Sequence, residues 1–405
     1  MKTEERPLPA AEDSAQGEVE RERIRRGLRY CLWVFLGMRI GLSVLALAGV
    51  ALLPTLEPVG VPGWAAHETT QGWHNLVTAW ERFDALWFLR IADSGYSLTD
   101  QSAVFFPGYP LTIRFVSTLL GGHPLAAGLL VSHLATFGSF VLLYFLTASE
   151  WGERVARRTV LYLAIFPTSF FLLAPYSEAL FLFLVLLTFW AARRGRWELA
   201  GLGGIGASAT RNIGVLLVLP LLVEAYQRFR ERGSGKELIR AIPWSLVAAG
   251  GAVAYLIFCQ QFFGDWRAPM EQQATWQRQG IFPLGTVLKG TEEAFRFIGV
   301  YPGGYHLLDW LIVMPAIVAS GWVVVRARPL YSVYVLASLL APLSYAFLHR
   351  PFMSIPRFLL PLFPLLWVVA IWAERRKGVH EAYLAVSAAL LGVMLLLFVN
   401  WYYVF

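Results

Sequence analysis

Apolar residues along this chain gather into long, nearly unbroken runs separated by short charged stretches. That is the pattern of helices that cross a bilayer, not of amphipathic helices around a soluble core. The runs lie at about 30–53, 124–147, 157–174, 178–193, 198–224, 242–263, 306–325, 330–348, 357–373 and 381–403. One of them, 198–224, carries Arg211 at its midpoint, where a charge facing lipid costs about 3 kcal/mol or more. A hairpin of two short helices turning at Thr210-Arg211-Asn212 removes that conflict, and broken helices are tolerated where they line a protein cavity. The expected architecture is all-α and polytopic, with about eleven transmembrane helices.

Basic residues recur between the runs, at Arg21 to Arg29, Arg154/Arg157/Arg158, Arg193/Arg194/Arg196, Arg228 to Arg240, Arg326/Arg328 and Arg375/Arg376/Lys377. The positive-inside rule makes all six cytoplasmic, which puts the N-terminus inside and the C-terminus outside. Residues 1–28 are polar, lack an apolar core and a cleavage pattern, and are expected as a disordered cytoplasmic tail and not a signal peptide. Residues 29–405 then form a single transmembrane domain with two large extracytoplasmic loops, 54–123 and 264–305. The stretch 105–120 is apolar but short, with two prolines and Arg114. It is re-entrant or surface-lying on the outer side, or else a true span that forces some basic loops outside. Chosen from Lys and Arg alone, this orientation collects Asp84, Asp93, Tyr176, Ser177, Glu178, Arg211, Asn212, His349, Arg350 and Arg357 on the outer face, as if around a cavity there.

The first loop holds the most informative stretch, Trp80 to Tyr96. Wound at about 100° per residue, it places Trp80, Phe83, Trp87 and Ile91 on one face with Asp84 among them, while Glu81, Arg82, Arg90 and Asp93 point elsewhere. An acid on the apolar stripe of a membrane-surface helix pays a desolvation cost that a purely structural helix avoids. A helix cap or an ordinary salt bridge to arginine is the competing explanation. Pro175-Tyr176-Ser177-Glu178 is a tight turn whose glutamate caps the next helix or faces the cavity. Arg211 and Arg357 sit where helices meet the outer boundary. Each could snorkel to headgroups, yet a guanidinium is also the side chain best shaped for a phosphate.

Composition narrows the class. The 405 residues are 57% hydrophobic and 15% charged, with a mean hydropathy of +0.54, too little polar surface for a soluble globule. The net charge of +7 lies in the dispersed clusters and not on one face, so nucleic acid is not the expected partner. Cys31, Cys259 and the seven histidines show no ligand spacing, so no metal and no cofactor are expected. Gly201-Leu202-Gly203-Gly204-Ile205-Gly206 matches a dinucleotide fingerprint, but no strand precedes it, and small residues for close helix packing explain it better. Gly233-Ser234-Gly235-Lys236 lacks the spacing of a phosphate-binding P-loop.

Trp80 to Tyr96, followed by Phe105-Phe106-Pro107-Gly108-Tyr109-Pro110, resembles the signature of PIG-V-type mannosyltransferases. Phe166 to Phe171, Ala174 to Phe181 and Thr210 to Gly214 are similar to that family's remaining blocks, in the same order, and Ile355-Pro356-Arg357-Phe358 extends the likeness loosely into the last third. Gly108 stands where the family usually has leucine. The resemblance implies a GT-C membrane glycosyltransferase that takes a hexose, mannose above all, from a polyprenyl-phosphate donor, with Asp84 as the catalytic carboxylate. The implied mechanism is a single displacement in which Asp84 takes the acceptor's proton while Arg357 and Arg211 hold the phosphate. Glu178, Tyr176, Tyr109, Trp87 and Arg350 are the remaining candidates for substrate contact. A chain this compact looks prokaryotic, so the expected acceptor is a cell-envelope glycan, glycolipid or protein at a bacterial plasma membrane. The alternative is a lipid or glycan transporter, which predicts internal repeats and a polar site at mid-membrane.

Overall fold

The computed structural model describes residues 10–65, 72–274, 278–300 and 304–404. Helix α1 (Ala10–Leu52) begins well before its apolar part, so where it is described the expected disordered tail is helix. Its Glu- and Arg-rich composition suits that, since these residues lose little rotamer freedom in a helix. In the first loop, α2 (Asn75–Thr78) is followed by α3 (Asp84–Ser94). The expected helix over 80–96 therefore starts late, because Phe83 takes a left-handed φ of 52° and closes the helix on its N-terminal side. Asp84 is the first residue of α3 and does not sit within an apolar stripe. Of the residues expected to point elsewhere, Glu81, Arg82 and Arg90 are buried and Asp93 is exposed.

Helix α4 (Gly108–Leu119) has 12 residues, about 18 Å at 1.5 Å per residue, well short of the roughly 30 Å of hydrocarbon. Tyr109 at its start donates to Gly128 O and lies 2.7 Å from Ser132 Oγ, both in the first turns of α5 (Pro124–Trp151). The helix is thus too short for a span and packs beside one end of α5.

The bundle continues through α6 (Glu153–Ala164), α7 (Ser177–Ala192) and α8 (Trp197–Thr210), then turns at Arg211 through a short 3-10 segment into α9 (Val218–Arg232). This is the expected hairpin. Next come α10 (Gly235–Val247), α11 (Gly250–Phe262) and the loop helices α12 (Ala268–Ala274) and α13 (Pro283–Arg296). The chain finishes with α14 (Gly304–Arg326), α15 (Pro329–Leu343), the single turn α16 (Ile355–Phe358), α17 (Pro364–Arg375) and α18 (Lys377–Val399). A two-stranded ladder pairs β1 (Arg278–Gly280) with β2 (Tyr345–Phe347), Arg278 opposite Phe347, and ties the second large loop to the stretch before α16.

Among the described residues six helical segments are long and apolar enough to cross a membrane, Glu18–Leu52, Pro124–Trp151, Asn212–Arg232, Gly235–Phe262, Gly304–Arg326 and Lys377–Val399. The chain is an integral membrane protein of all-α build. Eleven were expected; the difference lies in apolar runs that fold as shorter or broken helices, such as Ser177–Ala192 and Pro329–Leu343.

The glycine pattern of α8 serves packing. A Cβ on Gly203 would lie 2.6 Å from Thr188 Oγ1, and one on Gly204 would lie 2.4 Å from the Cβ of Ala248. The backbone of α11 also comes close at Gly251, where a Cβ would lie 2.5 Å from Ala209 N. Small residues let helix backbones approach where lipid supplies no hydrophobic drive.

At one end of the bundle Arg193 contacts Glu150 at 2.6 Å and Glu224 at 2.7 Å, Arg228 contacts Glu237 at 2.7 Å, and Arg328 reaches Glu150 at 3.4 Å. Arg158 pairs with Glu374 at 2.7 Å, and Tyr30 donates to Arg157 O. The basic clusters thus share one end, and the candidate site residues lie at the other.

Gly251→Ala should force α8 and α11 apart and cost about 1–3 kcal/mol. Gly37→Ala, where no atom lies within 4 Å of the added Cβ, should change stability by less than about 0.5 kcal/mol. Thermal unfolding of the detergent-solubilised variants checks the contrast, and equal midpoints would refute the contact.

Candidate active site

Asp84 is aimed by strain and packing. The Phe83 ring that precedes it lies 6.0 Å from Phe398, 5.4 Å from Trp401 and 5.3 Å from Tyr403, which holds the backbone in its unfavourable region. Arg82 donates to Val399 O at 3.0 Å and Thr78 O at 2.7 Å and lies over Trp401. The only other non-glycine residues with positive φ among those described are Ser354 and Trp401. Ser354 opens the turn that presents Arg357, so the strained positions surround one place.

There four charged side chains alternate in sign. Arg357 Nη1 donates to Asp84 Oδ2 at 2.7 Å, Arg357 Nε lies 2.8 Å from Glu178 Oε1, and Arg211 Nη1 reaches the same oxygen at 2.5 Å and Ser177 Oγ at 3.0 Å. Side-chain exposure is 15% for Asp84, 12% for Arg357 and 2% for Glu178. Charges this dry persist only when paired, because an isolated one costs several kcal/mol to bury. The salt bridge anticipated as the plain explanation of Asp84 is therefore real, and its partner is the arginine expected to hold a phosphate. Asp84 Oδ1 has no side-chain partner among the described residues.

The four groups line a cavity of about 330 Å³, together with Arg278 and Gln273 from the second loop and a set of phenylalanines that includes Phe106, Phe181 and Phe358. Gly108 sits where a side chain does not fit. A Cβ there would lie 2.6 Å from Thr210 Oγ1 and 2.8 Å from the backbone of Ala209, so only glycine lets α4 abut the end of α8 beside the cavity. Among the described residues no group of three or more His, Cys, Asp or Glu side chains could hold a metal ion.

Four candidates do not reach the cavity wall. Tyr176 is fully buried and donates to Arg82 O at 2.9 Å, bracing the loop that carries Asp84. Tyr109 is buried against α5, and Trp87 stacks on Phe105 at 5.4 Å. Arg350 makes a two-pronged pair with Asp309 at 2.7 and 2.9 Å and donates to Val404 O at 2.7 Å, a clasp between α14 and the chain end. Asp309, an acid within an apolar run, was the signal that could have predicted that clasp. Asp93 is exposed, as expected. Arg278 was missed, since nothing in the sequence separates it from Arg267 or Arg296 of the same loop. Burial pushes its guanidinium down to about 10, and the nearby charge of Arg357 adds to this.

Residues 51–238 match the family described as "Mannosyltransferase (PIG-V)". The resemblance read from the motifs holds over that stretch. Within it lie Asp84, Glu178 and Arg211, whereas Arg278 and Arg357 lie beyond it. The chain is 35% identical over 150 residues to GPI alpha-1,6-mannosyltransferase 2 of Cricetulus griseus, covering 34% of this chain and 30% of that protein. With the Mus musculus protein of the same name it shares 33% over 182 residues, covering 40% and 35%. The matched stretch spans only about a third of the length of these relatives. Among solved structures, it is similar to ArnT from Cupriavidus metallidurans bound to undecaprenyl phosphate, with a TM-score of 0.48 and 15% identity, covering 92% of this chain and 76% of that one. It is also similar to the Archaeoglobus fulgidus oligosaccharyltransferase in complex with Zn and sulfate, with a TM-score of 0.42 and 12% identity, covering 90% and 53%.

If Arg350 serves the clasp and not a substrate, Asp309→Ala should strand its guanidinium and cost about 3–5 kcal/mol. The unfolding midpoint should drop while the affinity of the remaining folded protein for its substrates stays put. A change in substrate KM without loss of stability would return Arg350 to the binding site.

Proposed function

We propose that this protein is a membrane glycosyltransferase that moves a hexose, mannose in the first instance, from a polyprenyl-phosphate carrier to a cell-envelope glycan, glycolipid or protein. The observation that carries this reading is the Asp84–Arg357 pair at the wall of a partly apolar cavity, within a chain whose residues 51–238 match a mannosyltransferase family. The apolar rings suit a lipid carrier, the guanidiniums suit its phosphate, and one carboxylate oxygen is left for an acceptor.

The chemistry is a single displacement. The acceptor hydroxyl oxygen bonds to the anomeric carbon as that carbon's bond to the phosphate oxygen breaks. The hydroxyl proton passes to Asp84 Oδ1, and the lipid phosphate departs with the bonding electrons as a stabilised anion, so no general acid is needed. Arg357, through Nη1, fixes the orientation of the carboxylate. With Arg211 it faces the charge that builds on the leaving phosphate. Glu178 keeps both guanidiniums in place.

The basic end of the bundle is read as cytoplasmic and the cavity as opening on the opposite, extracytoplasmic side. A bacterial plasma membrane remains the setting this reading assigns.

Asp84→Asn is nearly isosteric, so folding should survive while sugar transfer by purified protein falls by about 10² to 10⁴-fold. Transfer within a few-fold of the parent would remove the base assignment. Orientation is tested separately with cysteines at two exposed positions, Ser94→Cys and Lys236→Cys. An impermeant thiol reagent added outside intact cells should label the first and spare the second, and the reverse would invert the topology.

A further inference from the structure

Arg278 differs from the other arginines of the cavity. Arg211 and Arg357 are each held by carboxylates, but Arg278 has no carboxylate partner among the described residues. Its guanidinium lies 4.6 Å from the centre of the Phe347 ring and 5.7 Å from that of Phe358, and Nη2 reaches Ser354 Oγ at 3.4 Å. Its Nε is buried with no hydrogen-bond partner. The ladder between β1 and β2 fixes the backbone that carries it. Aromatic faces and one long hydrogen bond do not compensate a desolvated guanidinium, so a residue kept there for structure alone would be a poor choice.

The charges on the cavity wall point to what compensates it. Asp84 and Glu178 face Arg211, Arg278 and Arg357, which leaves one positive charge in excess. A ligand with a single negative charge neutralises the wall, whereas a diphosphate overshoots and a neutral lipid leaves a buried charge uncovered. A phosphodiester joining a sugar to a lipid carries one charge at neutral pH, and its two free oxygens match the guanidinium fork.

We propose that Arg278 is the ligand of the donor phosphate and sets the preference for a carrier joined to its sugar through one phosphate, while Arg357 is primarily the positioning residue of Asp84. This rests on the reading of the site as one for a lipid-phosphate sugar.

The test uses the purified full chain and three short probes, farnesyl methyl phosphodiester, farnesyl diphosphate and farnesol, with affinity read by titration calorimetry. The parent should bind the phosphodiester best. Arg278→Gln should weaken the phosphodiester by about tenfold or more, from loss of a charge-assisted hydrogen bond, and leave farnesol unchanged. Arg278→Lys, which keeps the charge and loses the fork, should fall between. Arg357→Lys should retain most of the phosphodiester affinity and lose transfer rate. Unaltered phosphodiester binding in Arg278→Gln, with the parent still preferring phosphodiester to farnesol, would overturn the role of Arg278 and leave the donor reading intact. A parent that binds farnesol as tightly as the phosphodiester would overturn both. Should Arg278→Gln fail to fold, Arg278→Lys carries the test, and parental affinity there would refute recognition by the fork. Tighter binding of the diphosphate by the parent would refute the charge match.

Discussion

The candidate site depends on a chain of alternating charges, Asp84, Arg357, Glu178 and Arg211, buried where four separate parts of the protein meet. Each charge is too dry to stand alone, and each is stabilised only by the next, so the loop helix α3, the turn α16, the start of α7 and the α8–α9 hairpin are coupled. The Asp84–Arg357 bond spans 273 positions in the chain. Residues 51–238 thus supply two carboxylates and one arginine, and the last third supplies the cation that joins them.

What keeps this arrangement rigid is packing that tolerates no extra atoms. Gly251 brings α11 against the backbone of α8, and Gly108 brings α4 against the same helix where it ends beside Arg211. Phe83 and Ser354 pay a conformational cost that places Asp84 and Arg357, the first held by three aromatic rings. Tyr176, expected to touch substrate, braces the Asp84 loop through Arg82 O. Preorganisation of this kind lets a site hold charged groups at bonding distance with no reorganisation when a reactant arrives.

The opposite end of the bundle follows a different electrostatic logic. Arg328, Glu150, Arg193, Glu224, Arg228 and Glu237 form a chain of pairs that ties α5, α7 and α9 to the starts of α10 and α15. These residues are tied to one another and lie outside the cavity. Two clusters of similar composition therefore do different things: at one end the pairs lock helices together, and at the other they border open space.

The sequence by itself determined that this is an all-α membrane protein, because long runs of apolar residues report solvent partition directly and need no knowledge of neighbours. It also grouped Asp84, Glu178, Arg211 and Arg357, which the structure brings to one cavity. Only the tertiary structure decided which polar groups share a wall. A side chain's direction depends on contacts with residues distant in the chain, so Arg350 turned to Asp309, Tyr109 and Tyr176 turned into the core, and the ladder carried Arg278 to the cavity. The start of α3 at Asp84 was hidden for the same reason. Local periodicity continues a helix back through Trp80, and the three rings that hold Phe83 at positive φ come from the far end of the chain.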